Sequence, residues 1–205
     1  MSLSSKRPLI VGITGSIGSG KSIVSHIFET LGTPVYYSDV EAKKLYDNTD
    51  FQKKLLALFG GKVFDKDGIP DKKLIAELVF NDKSALQQLN ALIHPAVKIH
   101  FLEWVEKQKR CGNSYVIQES ALLFESGFDS LFDKIITVYA EEKTLIERIQ
   151  KRDNISEEQI LARIRNQMPA EEKKNRADFV IINDEVQLIM PQILSIHEQL
   201  TLLSK

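Results

Sequence analysis

The chain has 205 residues, with 27 Lys and Arg against 28 Asp and Glu, a formal net charge of −1. At 43% hydrophobic and 27% charged residues it carries enough apolar side chain for a sizeable core under a charged surface, which excludes a disordered chain. Near-neutrality excludes a nucleic-acid binder that works by overall charge, so any anionic partner must be held by local basic groups or backbone amides.

Leu9 to Thr14 (LIVGIT) is a short apolar, β-branched run that ends in glycine-rich sequence, the pattern of a buried parallel strand. Helical spacing follows over Lys21 to Leu31, and Pro34 to Tyr37 reads as a second strand. From Asp39 to Arg110 there is helical periodicity and no convincing strand. Phe51 to Phe59, Lys72 to Phe80 and Leu86 to Lys109 carry apolar residues three and four apart, around a turn at Asp67-Gly68-Ile69-Pro70. His94 before Pro95 is expected to end or bend its helix. Trp104, with Phe101 and Val105, is expected in the core of this helical part. Tyr115 to Gln118 and Lys134 to Tyr139 read as further strands. Glu141 to Arg152 is helical, with Leu145 and Ile149 on one face, and Ser156 to Asn175 is a polar helical stretch broken by Pro169. Asp178 to Ile182 reads as a fifth strand. Strands alternating with helices predict βαβ units, hence an α/β fold with a parallel five-stranded sheet flanked by helices.

Between the first strand and the first helix stands Gly15-Ser16-Ile17-Gly18-Ser19-Gly20-Lys21-Ser22, a full match to G-x-x-x-x-G-K-[ST], the Walker A pattern of P-loop NTPases. Its chemistry needs these residue types. The glycines let the backbone curl around a polyphosphate with its amides inward, and the next helix offers its positive end. Lys21 would reach the β- and γ-phosphates of ATP, the Ser22 hydroxyl would hold Mg²⁺, and the Ile23 amide would donate to the α-phosphate.

A P-loop does not name a reaction, since switches, motors and small-molecule kinases share it. The N-K-x-D motif of a guanine-nucleotide switch is missing. Asp65-Lys66-Asp67-Gly68 fits D-x-x-G, but it lies in a hairpin-like turn and follows no apolar strand. No apolar strand ends in Asp-Glu. Asp39, however, stands at the carboxyl end of the second strand, where an open α/β sheet has its crevice. There it would accept the proton of an attacking hydroxyl; equally, it would cap a helix from Val40 to Tyr46. Arg148, Lys151 and Arg152 share one helical face, with Arg163, Arg165 and Arg176 further on. Guanidinium groups answer the charge spread over a transferred phosphoryl, although most such faces are simply solvated. Two enzyme readings, a nucleoside monophosphate kinase and another small-metabolite kinase, and one non-enzyme reading, a nucleotide-gated module, remain open from these residues.

The order of GITGSIGSGKS, Val35-Tyr36-Tyr37-Ser38-Asp39, His94-Pro95, Leu122-Leu123-Phe124-Glu125, Glu147-Arg148 with Lys151-Arg152-Asp153, Ala162-Arg163-Ile164, Gln167-Met168-Pro169 and Asn175-Arg176-Ala177-Asp178 resembles the dephospho-coenzyme A kinases over nearly the whole chain. The resemblance implies transfer of the ATP γ-phosphate to the ribose 3′-hydroxyl of dephospho-CoA, with Mg²⁺. It implies a nucleotide core (residues 1–38, 111–140 and 176–205), a helical acceptor-binding insertion (39–110) and a helical lid (141–175). It implies Asp39 as general base, with Lys21 and Arg148 stabilising charge. ATP contacts would come from Gly15, Ser16, Gly18, Ser19, Gly20, Lys21, Ser22, Ile23, Arg148 and Arg152, and acceptor contacts from Asp39, Lys43, His94, Leu123, Glu125 and Arg163. The chain departs from the family pattern at Tyr37, at Ile23 and at Ser120-Ala121. Glu119, at a strand end, would help hold the metal through water.

The remaining notable residues have plain readings. The single Cys111, in a turn, is an incidental thiol and excludes an intrachain disulfide. The four histidines show no metal-ligand spacing, and His26 and His100 read as helix residues. Polar Met1 to Arg7 and the short, glycine-broken apolar run behind it lack the pattern of a secretory leader, and no apolar run approaches the roughly 20 residues of a membrane span. A cytoplasmic monomer or small homo-oligomer is expected, with no membrane or nucleic-acid partner.

Overall fold

The computed structural model describes residues 7–205. Five strands, β1 (Leu9–Thr14), β2 (Val35–Tyr37), β3 (Tyr115–Glu119), β4 (Lys134–Tyr139) and β5 (Phe179–Ile182), form one parallel sheet in the order β2-β3-β1-β4-β5. The apolar runs of β1 and β3 are almost wholly buried, as strands covered on both faces require. Val11, Ile13, Ile117, Ile136, Val138 and Ile181 pack with Val24 and Phe28 of α1 (Lys21–Thr30) and with Ile193, Ile196 and Leu200 of α9 (Ile189–Leu203). Register decides what stands at the carboxyl edge. Ile13 pairs with Glu119 on one side of β1, and Thr14 with Thr137 on the other, so the segment leaving β1 emerges between two polar strand ends.

The chain divides into two compact units, the residues up to Tyr37 together with Trp104–Lys205, and Ser38–Glu103. The second unit holds α2 (Ser38–Lys44), α3 (Thr49–Phe59), α4 (Lys72–Asn81) and most of α5 (Lys83–Arg110). Each of the last three begins where a side chain receives the first free amides. Asn48 accepts from Asp50 and Phe51, Asp71 from Lys73 and Leu74, and Asp82 from Ser84 and Ala85. Leu55, Phe59, Val63, Ile75, Ala85 and Leu89 form a small core of their own. Between α3 and α4, Asp65 Oδ1 accepts from the amides of Asp67 and Ile69, and Phe64 bridges Pro70, so the D-x-x-G match is a hairpin turn.

Two expectations change here. Pro95 does not end its helix: α5 continues from Lys83 to Arg110 around it. Proline forfeits one backbone hydrogen bond, but Leu89 before it and Val97, Phe101 and Val105 after it are buried, and packing on both sides outweighs that loss. Trp104 belongs to the sheet unit rather than to the helical core, and its ring lies 5.5 Å from that of Tyr36 on β2. No helix among the described residues is long and apolar enough to cross a membrane.

After β4 come α6 (Glu142–Asp153), α7 (Glu157–Arg165) and α8 (Ala170–Arg176). Leu145 and Ile149 bury the expected face of α6, and Ser156 with Gln159 forms a capping box that starts α7.

Candidate active site

The loop between β1 and α1 needs its glycines for space as well as for dihedral freedom. A Cβ on Gly15 would lie 2.5 Å from the Val138 carbonyl oxygen and 2.6 Å from Ser19 Oγ. Gly20 adopts φ 92°, and a Cβ there would collide with Asn183 Nδ2. Gly20 is the N-cap of α1 and offers no side chain to the first amides, and no acidic residue occupies the first turn. The amides of Ile23 and Val24 donate to the Gly20 carbonyl at 3.0 and 3.2 Å, and the helix starts with an unopposed positive end, which suits an anion.

Lys21 and Ser22 follow directly, beside the strand-end carboxylate. Lys21 Nζ lies 3.8 Å from Glu119 Oε1, and Ser22 Oγ donates to the same oxygen at 3.4 Å. The Glu119 side chain is 8% exposed and that of Lys21 13%. Screening is weak at such burial, and the carboxylate holds the lysine at the mouth of the loop. Oxygen donors from Ser22 and Glu119 suit a hard cation such as Mg²⁺. No cluster of three or more His, Cys, Asp or Glu that could hold a metal exists among the described residues.

A cavity of about 520 Å³ opens beside the loop, lined by Gly18, Gly20, Lys21, Ser22, Ile23, Arg148, Ile149, Arg152, Asn183 and Glu185. Its far wall is α6, where Arg148 and Arg152 are one turn apart. Arg148 Nε donates to Glu185 Oε1 at 3.0 Å and Nη2 to the Asn183 carbonyl at 3.0 Å, while Nη1 is buried with no hydrogen-bond partner. A buried donor without a partner is uncommon, and this one belongs to a side chain that lines the cavity. Ser19 Oγ in the loop is likewise buried and unpartnered. Arg152 is held by Asp153, with Nε to Oδ1 at 2.7 Å, and this guanidinium holds the Asp153 carboxyl below its usual range.

Other expected site residues lie elsewhere. Asp39 is exposed in the first turn of α2, which starts at Ser38, so it does not cap a helix beginning at Val40. Lys43 is exposed in the last turn of the same short helix. His94 is half-buried within α5, and burial lowers its pKa. Leu123 is 1% exposed and packs with Phe124, Ile135, Phe132 and Met168. Glu125 is also committed internally, since its Oε1 accepts from Lys173 Nζ at 2.9 Å and from the Met168 amide at 2.7 Å. Arg163 is turned to Asp153, with Nη1 to Oδ2 at 2.9 Å, and does not line the cavity. Arg176 and Asp178 also have partners inside the protein. Arg176 binds Asp129 and stacks over Phe124, and Asp178 binds Lys134 and the Ile135 amide.

Sequence reasoning missed three residues that touch the loop or its surroundings. Asn183 Nδ2 donates to the Ser19 carbonyl at 2.8 Å. Gln167 Oε1 accepts from the Ile17 amide at 2.9 Å. Lys173 is fully buried, and its pKa is lowered first by desolvation, with the like charge of Lys21 acting in the same direction. The polar residue just past β5 was a signal for Asn183, because strand ends line the crevice. Lys173 carried none, since a lysine in a polar helix reads as solvated.

A loop that binds phosphate, a buried carboxylate behind it and arginines facing it occur in many kinases, and comparison with known proteins separates them. The family model described as dephospho-CoA kinase matches residues 9–188. A dephospho-CoA kinase of Bacteroides fragilis (strain YCH46) is 47% identical over 187 residues, which is 91% of this chain and 90% of that protein. One from Listeria monocytogenes serotype 4b is 38% identical over 176 residues, 85% of this chain and 88% of that one. Among solved structures, the dephospho-CoA kinase of Campylobacter jejuni aligns with a TM-score of 0.69 at 29% identity, covering 96% of this chain and 98% of its own. The protein TT1252 of Thermus thermophilus aligns at 0.83 with 34% identity, over 95% and 98% of the two chains. With its Walker loop, strand-end carboxylate and α6 arginines inside a match that runs through the sheet and both helical excursions, the chain belongs to the dephospho-CoA kinase family.

Proposed function

We propose that the chain transfers the γ-phosphoryl group of ATP to the 3′-hydroxyl of the ribose of dephospho-CoA, releasing CoA and ADP. The observation that supports this most is the junction of Lys21, Ser22 and Glu119, opposite an arginine with an unpartnered buried donor.

ATP would lie with its phosphates against the loop from Gly15 to Ser22 and the first turn of α1, and against Arg148 and Arg152. Lys21 would neutralise the charge that grows on the transferred oxygens, and the free Nη1 of Arg148 would add a second donor. Ser22 would hold Mg²⁺, with Glu119 behind it, and the ion would offset the negative charge of the phosphates. Asp39 follows Tyr37 by two residues, and Tyr37 is in register with Glu119 at the edge of the sheet. We assign Asp39 the role of general base, taking the proton of the attacking ribose hydroxyl. Lys43 would meet the acceptor's phosphates and His94 would contact the acceptor from α5. Residues 39–110 would form the acceptor domain and 141–175 a lid whose closure excludes water, the competing acceptor.

The test is an ADP-release assay with Mg-ATP, with and without dephospho-CoA. ADP formation that depends on dephospho-CoA, with one 3′-phosphate gained per ADP, is the expected result. Release at the same rate without acceptor overturns the reading.

A further inference from the structure

Gln167 stands in the turn between α7 and α8, and its Oε1 accepts the Ile17 amide at 2.9 Å, 150 positions away in sequence. Ile17 is at the tip of the phosphate loop, between Gly15 and Gly18, whose φ angles are 154° and 81°. Both glycines have backbone conformations that other residues rarely adopt, and across the tip the Ser19 amide donates to the Ser16 carbonyl at 3.0 Å, so the loop has a turn of its own to which a side-chain contact adds. Among the described residues, the Gln167 carboxamide is the side chain that accepts the tip amide.

The residues next to Gln167 are fixed in turn. The Met168 amide donates to Glu125 Oε1 at 2.7 Å, and Lys173 Nζ reaches the same oxygen at 2.9 Å and the Ala121 carbonyl at 2.7 Å. Lys173 has no exposed surface. A buried ammonium is tolerated only where fixed oxygens replace its water, and here a carboxylate and a carbonyl do so. Arg176 binds Asp129, and Tyr139, at the end of β4, donates to Glu171, so α8 is held at several points. None of these contacts touches the cavity directly.

We propose that Lys173, Glu125 and Gln167 form an internal brace that holds the tip of the phosphate loop in its anion-accepting shape, with Gln167 as the positioning residue. This rests on the nucleotide-binding reading above. A loop ordered before the ligand arrives loses less freedom on binding, so the brace acts on affinity. It shapes the loop rather than touching the γ-phosphate, and it therefore acts on ADP and ATP alike.

The test compares wild-type protein with Gln167→Met, which keeps length without an acceptor, and Gln167→Asn, which is too short to reach. Calorimetric titration of ATP and ADP should show both bound about tenfold more weakly in either variant. KM for ATP should rise similarly while kcat at saturation changes by less than about threefold, a split that lost packing alone would not give. Hydrogen exchange of the peptide spanning residues 15–20 should be faster, with an unchanged far-UV spectrum and melting curve. A Glu125→Gln, Lys173→Met double substitution, which removes both charges together, should weaken both nucleotides by about threefold. Wild-type affinities in the folded Gln167 variants, or in the double variant, overturn the brace. So does an affinity loss that merely tracks loss of native structure. A wild-type protein that binds neither nucleotide overturns the kinase reading and the brace with it.

Discussion

Around the cavity of the sheet unit, polar contacts join residues far apart in sequence. Ser22 meets Glu119 across 97 positions, Gln167 meets the Ile17 amide across 150 and Asn183 meets the Ser19 carbonyl across 164. In the unit from Ser38 to Glu103 the defining polar contacts are local. Asn48, Asp71 and Asp82 each accept amides two and three residues ahead, and a small core of Leu55, Phe59, Val63, Ile75, Ala85 and Leu89 closes the helices together. The difference lies in what sets each geometry. Strand register and long-range hydrogen bonds build the phosphate site, so its groups are fixed before any ligand binds. The helical unit is encoded turn by turn, and the residues proposed to meet a ligand from it, Asp39 and Lys43, are exposed on a short helix.

Substitutions should separate these two kinds of construction. The largest effect is expected at Asp39, where Asp39→Asn should lower kcat by about 10²- to 10⁴-fold, with ATP affinity little changed, as for loss of a general base. Steady-state kinetics beside ATP titration checks this, and near-normal turnover would remove Asp39 from the mechanism. Lys21→Ala should lower kcat by about 10²- to 10³-fold, because a preorganised positive charge leaves the transferred phosphoryl. Here slow, acceptor-independent ATP hydrolysis should fall too, whereas Asp39→Asn should spare it.

Gly20→Ala probes the loop itself. The φ of 92° and the contact with Asn183 predict strain of about 1–3 kcal/mol and weaker ATP binding together, read by thermal melting and titration. Asp71→Ala is the counterpart in the helical unit. Loss of this cap should cost about 1 kcal/mol, a fall of about 2–4 °C in Tm, and leave ATP affinity untouched. An Asp71→Ala protein with impaired ATP binding would break the contrast between the two units.

The smallest effect is expected from His94. Burial lowers its folded pKa below the ordinary 6.5, so below that value the unfolded chain binds more protons than the folded one. The stability contributed by neutral His94 is present above about pH 6.5 and is lost as pH falls toward the folded value. Denaturant titrations at pH 7.5 and 5.5 should show this loss, and His94→Gln should reduce it.

Much of this was legible along the chain. Walker glycines next to an apolar β-branched run place the phosphate loop, and each of the five strands lies within a residue or so of its expected span, because buried parallel strands carry continuous apolar runs. Other positions were less legible. Leu123, Glu125 and Arg163 stand in motifs whose resemblance implies acceptor contacts, and the partners that folding gives their side chains are inside the protein. Pro95 reads as an end or a bend because the proline penalty is local, and the helix runs through it because burial on both sides is not local.

The sequence by itself determined the elements and the chemistry at the loop: periodicity fixes strand or helix, and only glycine fits φ 92° against a neighbouring side chain, as at Gly20. Tertiary structure alone decided which charges serve the ligand and which serve the fold. Glu119 meets Lys21 because β3 pairs with β1 in that register, and Lys173 meets Glu125 because α8 packs on the segment after β3. A charge carries no mark of its partner along the chain, and its role follows from burial and from what folding places within hydrogen-bond distance.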